Sequence, residues 1–213
     1  MKKPEDAYHH GSLRTSLVEE AVRVIAREGL DAFSLREVAR RVGVSANAAY
    51  RHFEDKDALL AAVAAHAFDR LAREMRQAIG AVTTRGAGPR AIAHLRATGR
   101  AYVTFALAEP ELFRLAFGSK AAKLDVAHRR DGAEPDPYQV LSRCLDAMVE
   151  AGVLPEARRP GAELKAWAVV HGYAALALGD PTLASLAPLE GVLDFVIDGL
   201  TGSPQRARPG RRR

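Results

Sequence analysis

The chain has 213 residues, of which 48% are apolar, and a formal net charge of +5. This length and composition allow one large domain or two small ones with a buried core, and they exclude a disordered activator. The single cysteine, Cys144, excludes an internal disulfide framework, and the first residues contain no apolar stretch of a signal peptide. Both features favour the cytoplasm.

The positive charge is concentrated at the carboxyl end of the chain. Residues 203–213 contain five arginines, which account for the whole net charge: Arg206, Arg208, Arg211, Arg212 and Arg213. The Pro, Gly and Arg content of this segment predicts a disordered, solvated tail, and non-specific phosphate contacts are its alternative role. The net charge is therefore weak evidence for nucleic-acid binding. The evidence for such binding has to come from sequence motifs.

The first predicted helix spans about residues 12–28. Its apolar residues recur every four positions, and Gly29 follows as a stop signal. The repeating residues are Leu13, Leu17, Ala21 and Ile25.

Residues 34–53 have the pattern of two short helices joined by a tight turn. Ser34 is predicted to cap the first helix in a reciprocal capping box with Glu37. Gly43 suits the left-handed conformation that ends this helix, and Ser45 caps the next one. So short a connection makes the two helices cross steeply around a small shared core. The residues predicted for that core are Leu35, Val38, Ala39, Val42, Val44, Ala49 and Phe53.

The second of these helices leaves small, polar or flat side chains outward at its amino-terminal end. A helix-turn-helix motif places its base contacts there. Asn47 can bond adenine, Arg51 can bond guanine or a phosphate, and the methyl group of Ala46 can contact thymine. The alternative is an ordinary amphipathic helix with a solvated polar face. The turn residues on both sides favour DNA binding.

The motif resembles one known family. The run Val44-Ser45-x-x-x-x-Tyr50-Arg51-His52-Phe53-x-x-Lys56-x-x-Leu59-Leu60, with Ser-Leu-Arg-Glu-Val-Ala at 34–39, is similar to the tetracycline-repressor (TetR) family of bacterial regulators. The resemblance extends over about residues 13–63 and implies a recognition helix at 45–52. It also implies a cytoplasmic protein that is associated with the nucleoid when bound to DNA. The DNA-contacting residues that we expect are Ser34, Arg36, Ser45, Ala46, Asn47, Tyr50, Arg51, His52 and Lys56.

This chain departs from the common pattern of the family at Ala49, where a larger aliphatic residue is usual. The opening run from Tyr8 to Arg14 also resembles the start of many such regulators, and it predicts a mobile arm that lies along the DNA. Metal binding by His9 and His10 is the alternative. Two adjacent histidines with no third ligand nearby make a poor site, so we predict no metal.

The rest of the sequence shows no strand alternation and predicts helices throughout. They span about residues 55–79, 89–108, 110–117, 138–151, 160–178 and 188–200, with a mobile loop at 118–137. The longest nearly uncharged run, residues 166–179, falls short of the roughly 20 residues that span a bilayer, which predicts a buried helix and no membrane association.

The predicted fold is therefore all-α, with about nine helices. The resemblance implies a three-helix DNA-binding head at residues 1–56. A larger helical domain for ligand binding and dimerisation follows at 57–202, and the tail occupies 203–213.

Trp167, His171 and Gly172 form a Trp-x-x-x-His-Gly pattern. The indole and the imidazole lie on one helix face, one turn apart, because they are four residues apart. The pattern resembles a TetR-like subgroup marked by a Trp-His-Gly signature. Core packing, a ligand pocket and a dimer seam all remain open as roles.

A homodimer is expected because a two-fold symmetric operator needs two heads one helical turn of DNA apart, or a multiple of that. The last two long helices can pair across a two-fold axis as a four-helix bundle. The residues predicted for this interface are Trp167, His171, Ala175, Leu178, Leu189, Leu193, Val196 and Leu200.

Aromatic residues cluster around positions 102–117, where core packing is one interpretation and a ligand pocket the other. A pocket for a small-molecule effector would be mainly apolar with a few polar anchors. Its predicted lining consists of Thr98, Tyr102, Phe105, Phe113, Phe117, Cys144, Trp167 and His171.

Two functions follow from these patterns. The first is a ligand-responsive dimeric repressor that binds a palindromic, double-stranded DNA operator and releases it when an effector binds. The second is a helical small-molecule-binding protein or enzyme without sequence-specific DNA binding. No Ser-His-Asp, Cys-His or His-Glu-x-x-His arrangement appears in the sequence, so we predict no enzymatic activity and no cofactor.

Overall fold

The computed structural model describes residues 6–30, 33–118, 135–183 and 186–202. These residues form nine α-helices and no strand, which confirms the all-α prediction. Two 3₁₀ turns, Glu156–Arg158 and Pro181–Leu183, flank the eighth helix. The helices are α1 (Asp6–Glu28), α2 (Leu35–Val42), α3 (Ala46–Tyr50), α4 (Lys56–Gly80), α5 (Ala87–Ala108), α6 (Pro110–Phe117), α7 (Pro137–Glu150), α8 (Ala162–Gly179) and α9 (Leu186–Thr201).

The described residues belong to two compact units. The head unit takes its residues from 1–70 and 108–134, and the body unit takes its residues from 71–107 and 135–213. The first part of α4 and all but the last residue of α5 therefore belong to different units. The functional division at residue 56 stays a prediction.

Helix α1 begins earlier than the sequence predicted. It starts at Asp6 and not near Ser12, so helical backbone replaces the predicted mobile arm. Once residues 13–28 have nucleated the helix, each further residue adds a hydrogen bond at small cost, and residues 6–11 contain no proline and one glycine, Gly11. The other end is as predicted, because Gly29 is left-handed with φ 78°.

Helix α7 begins at Pro137, where a capping box fixes its start. The Asp136 carboxylate accepts from the Gln139 amide at 2.7 Å, and the Gln139 side chain accepts from the Asp136 amide at 3.0 Å. Most of the predicted mobile loop, residues 119–134, lies outside the described residues, as does the predicted tail at 203–213.

Helices α5, α7, α8 and α9 of the body unit share one apolar core. Its members are Ala91, Leu95, Leu145, Met148, Leu154, Ala162, Ala166, Val196, Ile197 and Leu200. Gly99 lets α5 approach α9 closely, since a Cβ atom there would lie 2.4 Å from Cδ2 of Leu193. No feature of the sequence had marked Gly99 as a packing position.

The structure corrects the predicted dimer residues of α9. Leu189, Leu193, Val196 and Leu200 are buried within their own chain and offer almost no surface to a partner. An apolar stripe shows that one helix face is buried, but it does not show what covers that face. Here α9 packs against helices of its own unit.

The prediction that α8 is a buried helix is also corrected. Only one face of α8 is buried. Ala166, Val170 and Tyr173 point into the body unit, whereas Leu164 and Leu176 are 62% and 64% exposed. The helix is apolar on both sides, so its sequence carries no polar face to distinguish inside from outside. No helix in the described part of the chain is long and apolar enough to cross a membrane.

Candidate nucleic-acid interface and effector site

The predicted caps position the helix pair α2–α3. The Ser34 hydroxyl accepts from the Glu37 amide at 3.2 Å, and the Ser45 hydroxyl accepts from the Ala48 amide at 3.2 Å. Gly43 ends α2 with φ 85°, a conformation that glycine adopts at little cost. The predicted core is buried at Leu35, Val38, Ala39, Ala49 and Phe53, and half-buried at Val42 and Val44.

The reciprocal half of the α2 capping box does not form. The Glu37 carboxylate instead accepts from Arg40 at 2.8 and 2.7 Å and from Arg41 at 2.7 Å. Charge-assisted hydrogen bonds to guanidinium groups are stronger than a bond to a neutral amide, which explains the preference. This part of the prediction was wrong.

The expected DNA-contacting residues all lie in the head unit. Helix α3 is shorter than the predicted span of 45–52, since Arg51 is its C-cap and His52 lies in the following turn. Ala46 and His52 are half-buried. The other members are exposed: Ser34, Arg36, Ser45, Asn47, Tyr50, Arg51 and Lys56.

Two cations of the head unit are held over aromatic rings. The Lys56 ammonium lies 5.6 Å from the centre of the Phe33 ring, and the Arg14 guanidinium lies 5.1 Å from that of Phe53. Such contacts restrict where each side chain can present its charge. The Asp55 carboxylate accepts from the Ala58 amide at 2.7 Å, and this fixes the start of α4 beside Lys56. No pattern in the sequence had indicated the stacking of Arg14 on Phe53.

The predicted effector pocket is divided between the two units. Phe113 and Phe117 lie in the head unit, where Phe117 packs against Phe68 and Phe113 with ring centres 4.9 and 4.8 Å apart. The other members lie in the body unit: Thr98, Tyr102, Phe105, Cys144, Trp167 and His171.

Three of the body residues form a hydrogen-bond chain. The indole N–H of Trp167 donates to the Tyr102 hydroxyl at 3.1 Å, and this hydroxyl lies 2.8 Å from Nδ1 of His171. Because the indole can only donate, the hydroxyl accepts from it, and the tautomer of the imidazole decides which group donates between Tyr102 and His171. The Trp167 and His171 rings meet edge to face, with centres 5.7 Å apart.

Burial keeps the groups of this hydrogen-bond chain uncharged. It raises the pKa of Tyr102 above its ordinary value, so the group remains a hydroxyl. It also lowers the pKa of His171 below 6.5, which favours the neutral imidazole at pH 7. The Cys144 thiol is likewise protonated, because burial raises its pKa to about 11. The Thr98 hydroxyl donates to the Leu95 carbonyl at 2.7 Å, so it has a hydrogen-bond partner within α5.

Two protein-family descriptions match the chain. Residues 17–63 match the bacterial regulatory proteins of the tetR family, and residues 95–200 match the tetracyclin repressor-like C-terminal domain. A solved structure of a protein with unknown function from Rhodococcus sp. RHA1 is 32% identical, with a TM-score of 0.69. The alignment covers 94% of this chain and all of that one.

More distant solved structures share the fold. RolR in complex with resorcinol is 17% identical with a TM-score of 0.66, and the alignment covers 91% of this chain and 90% of RolR. BioQ with its double-stranded DNA operator is 21% identical with a TM-score of 0.59, and the alignment covers 89% of this chain and 98% of BioQ. No curated protein sequence matches significantly. The capped helix pair and the matches over both parts of the chain show that this protein belongs to the TetR family of DNA-binding transcription regulators.

Proposed function

We propose that this regulator is a ligand-responsive, homodimeric repressor of the subgroup with the Trp-His-Gly signature. It binds a palindromic operator in the bacterial cytoplasm and releases the operator when a small-molecule effector binds. The observation that carries the DNA-binding part is the α2–α3 pair, which is capped at Ser34, Gly43 and Ser45 and leaves Asn47 and Tyr50 exposed.

The roles at the DNA follow from side-chain chemistry. Asn47 and Arg51 can bond base edges, and the methyl group of Ala46 can contact thymine. Ser34, Tyr50 and Lys56 are assigned to phosphates, which fix the position of the head on the duplex. Arg36, Ser45 and His52 complete the proposed surface. BioQ, a relative of the same fold, has been solved with its DNA operator.

The dimer is proposed to form through the outer faces of α8 and α9, which pack against each other. Trp167 and Leu176 on α8 and Phe195 on α9 are 36%, 64% and 66% exposed. These large apolar side chains alternate with glycines above which a Cβ atom would meet nothing within 4 Å: Gly172, Gly179, Gly191 and Gly199.

Protruding rings beside open glycines suit a self-complementary surface, because a two-fold axis brings the rings of one copy to the glycines of the other. Exposed apolar patches of this kind mark interaction sites in globular proteins. The proposed seam retains Trp167, His171, Ala175 and Leu178 from the predicted set, and Phe195 replaces the four buried residues of α9.

The effector site is proposed near the hydrogen-bond chain in the body unit. Tyr102 and His171 supply polar anchors in apolar surroundings, which is how small-molecule sites are usually built. RolR, which shares the fold, has been solved with resorcinol. Since α8 carries both His171 and the proposed seam, an effector that prefers one arrangement of α8 would change the pairing of the heads.

Selection of bound sequences from a random duplex pool by the full-length protein, at fixed salt, tests this proposal. Enrichment of a two-fold symmetric site supports a dimeric, sequence-specific regulator. Enrichment of an asymmetric single site contradicts the dimer, and an unenriched pool that the protein nevertheless binds contradicts base recognition by α3.

A further inference from the structure

Glu37 binds two of the three arginines of α2. Its carboxylate accepts from Nε and Nη2 of Arg40 at 2.8 and 2.7 Å, and from Nε of Arg41 at 2.7 Å. Arg41 also reaches α1, where its Nη2 lies 2.7 Å from the Glu28 carboxylate. Glu37 is the only acidic residue of α2, so both pairs depend on this one group.

The third arginine of α2 has no such restraint. Arg36 is exposed and forms no ion pair with any described residue. It precedes Arg40 by four positions, so the two side chains lie on neighbouring turns of one helix face. The Arg40 side chain is 72% exposed. Arg40 therefore lies one helix turn from Arg36, on the face of α2 that Arg36 would present to a DNA backbone.

An arginine that is already paired with a carboxylate contributes less to phosphate binding than an arginine without such a partner. Sequence-independent affinity rises with the number of phosphates that a protein neutralises, and each contact adds about 0.9 to the slope of log K against log salt. Glu37 occupies two of the five N–H groups of Arg40, so a phosphate that binds the other three meets a guanidinium whose charge the neighbouring carboxylate already balances.

We propose that Glu37 is a positioning residue that holds Arg40 in an ion pair and thereby limits the contact of Arg40 with the DNA backbone and the sequence-independent affinity for DNA. This inference rests on the proposed function, in which α2 and α3 meet DNA. The restraint persists at neutral pH, because the hydrogen bonds from Arg40, then those from Arg41, lower the pKa of Glu37 to about 2. Arg41 keeps its partner Glu28 when Glu37 is neutralised, so Arg40 is the arginine that is released.

The test is the salt dependence of binding to a random-sequence duplex, measured by fluorescence anisotropy on the full-length protein. In the Glu37→Gln variant the slope should steepen by about 0.9 per head, with up to about an eight-fold gain in affinity per head at about 0.1 M salt, the factor for one added phosphate contact. Operator affinity should rise by a similar factor, because a phosphate contact strengthens binding to any sequence.

Matched variants distinguish the effect of releasing Arg40 from the effect of the change in net charge. Glu20→Gln removes the same charge from the head unit, where Glu20 pairs with Arg23 of its own helix at 2.7 Å. It should leave the slope nearly unchanged, and Glu37→Gln/Arg40→Gln should return the slope to that of the wild type. Equal steepening in Glu20→Gln and Glu37→Gln, or no steepening in either, overturns the proposal.

Arg40→Gln alone provides a second route that does not require the Glu37 variant to fold. Because Glu37 already holds Arg40, the loss of Arg40 should leave the slope almost unaltered, whereas a slope lower by about 0.9 per head would show that Arg40 already binds phosphate and would refute the restraint. These slopes are measured on random DNA. Failure of the wild type to prefer any sequence would count against the proposed function and not against the role of Glu37.

Discussion

The indole N–H of Trp167 donates to the Tyr102 hydroxyl across 3.1 Å, which ties α8 to α5 through a polar contact between residues 65 positions apart. Tyr102→Phe removes this acceptor and also the partner of His171. Because Tyr102 is only 5% exposed, we expect a loss of about 1 to 2 kcal/mol in the free energy of unfolding, measured by chemical denaturation. Trp167 is the only tryptophan of the chain, so its emission spectrum should shift in the same variant.

Tyr138→Phe is the matched control for that variant. Tyr138 is 54% exposed on α7, so removal of its hydroxyl should change neither stability nor emission measurably. If the two variants had equal effects, the hydrogen-bond chain would not contribute to the stability of the body unit.

The pH dependence of stability should carry a contribution from His171. Its folded pKa is lowered by burial, so between that value and 6.5 the unfolded chain binds more protons than the folded chain. The contribution of His171 to stability is therefore complete above pH 6.5 and is lost as the pH falls through 6.5 towards the folded pKa. His171→Asn retains an acceptor near the position of Nδ1 but does not titrate. The melting temperature of the wild type should fall more than that of the variant between about pH 7.5 and about pH 5.5, and parallel curves would show that His171 is not linked to folding.

Gly99→Ala tests the close approach of α5 and α9. The added methyl group would lie 2.4 Å from Cδ2 of Leu193, which is itself 3% exposed and has little room to move. Overpacking of this kind should lower the free energy of unfolding by about 1 to 3 kcal/mol despite the better helix propensity of alanine.

Gly191→Ala serves as the control for overpacking, because a Cβ atom there meets nothing within 4 Å. At a protein concentration below that of dimerisation it should stabilise the chain by up to about 1 kcal/mol. A stabilised Gly99→Ala variant would show that α5 and α9 can separate without cost.

Local patterns predicted the head better than the body. The caps at Ser34 and Ser45 each join groups three residues apart, so the residue types alone indicated them. Tyr102 and His171 are 69 residues apart, and no local pattern could pair them. Glu37 was assigned to the wrong partner because a capping box and an ion pair to Arg40 use the same helical spacing.

The dimer seam was misassigned on α9 for a similar reason. Its regular apolar stripe ends at Leu200 and belongs to the core, whereas its exposed apolar side chain, Phe195, stands between two glycines outside that stripe. Periodicity indicates which residues share a face, but it cannot indicate whether the same chain or a partner covers that face.

Phe195→Glu should weaken the proposed dimer. A large aromatic side chain near the centre of an interface contributes at least about 2 kcal/mol to association, so a charged replacement should raise the dimer dissociation constant by at least about 30-fold. Sedimentation velocity across a dilution series measures this change. Tyr138→Glu is the control, since it places the same charge at another exposed aromatic residue. An unchanged dissociation constant for Phe195→Glu would show that Phe195 on α9 does not lie in the dimer interface.

Asn47 and Lys56 should affect DNA binding in different ways. Asn47→Ala removes an exposed group of α3 that can pair with one base, so it should cost about 1 to 3 kcal/mol on the operator and relax selection at one position of each half-site. Lys56→Ala removes a phosphate contact, so it should weaken operator and random DNA alike and lower the salt slope by about 1 per head. Both are measured by anisotropy on the selected site and on a scrambled duplex. Equal losses on the two duplexes for Asn47→Ala would show that Asn47 does not read a base, and a loss confined to the operator for Lys56→Ala would show that Lys56 does more than bind the backbone.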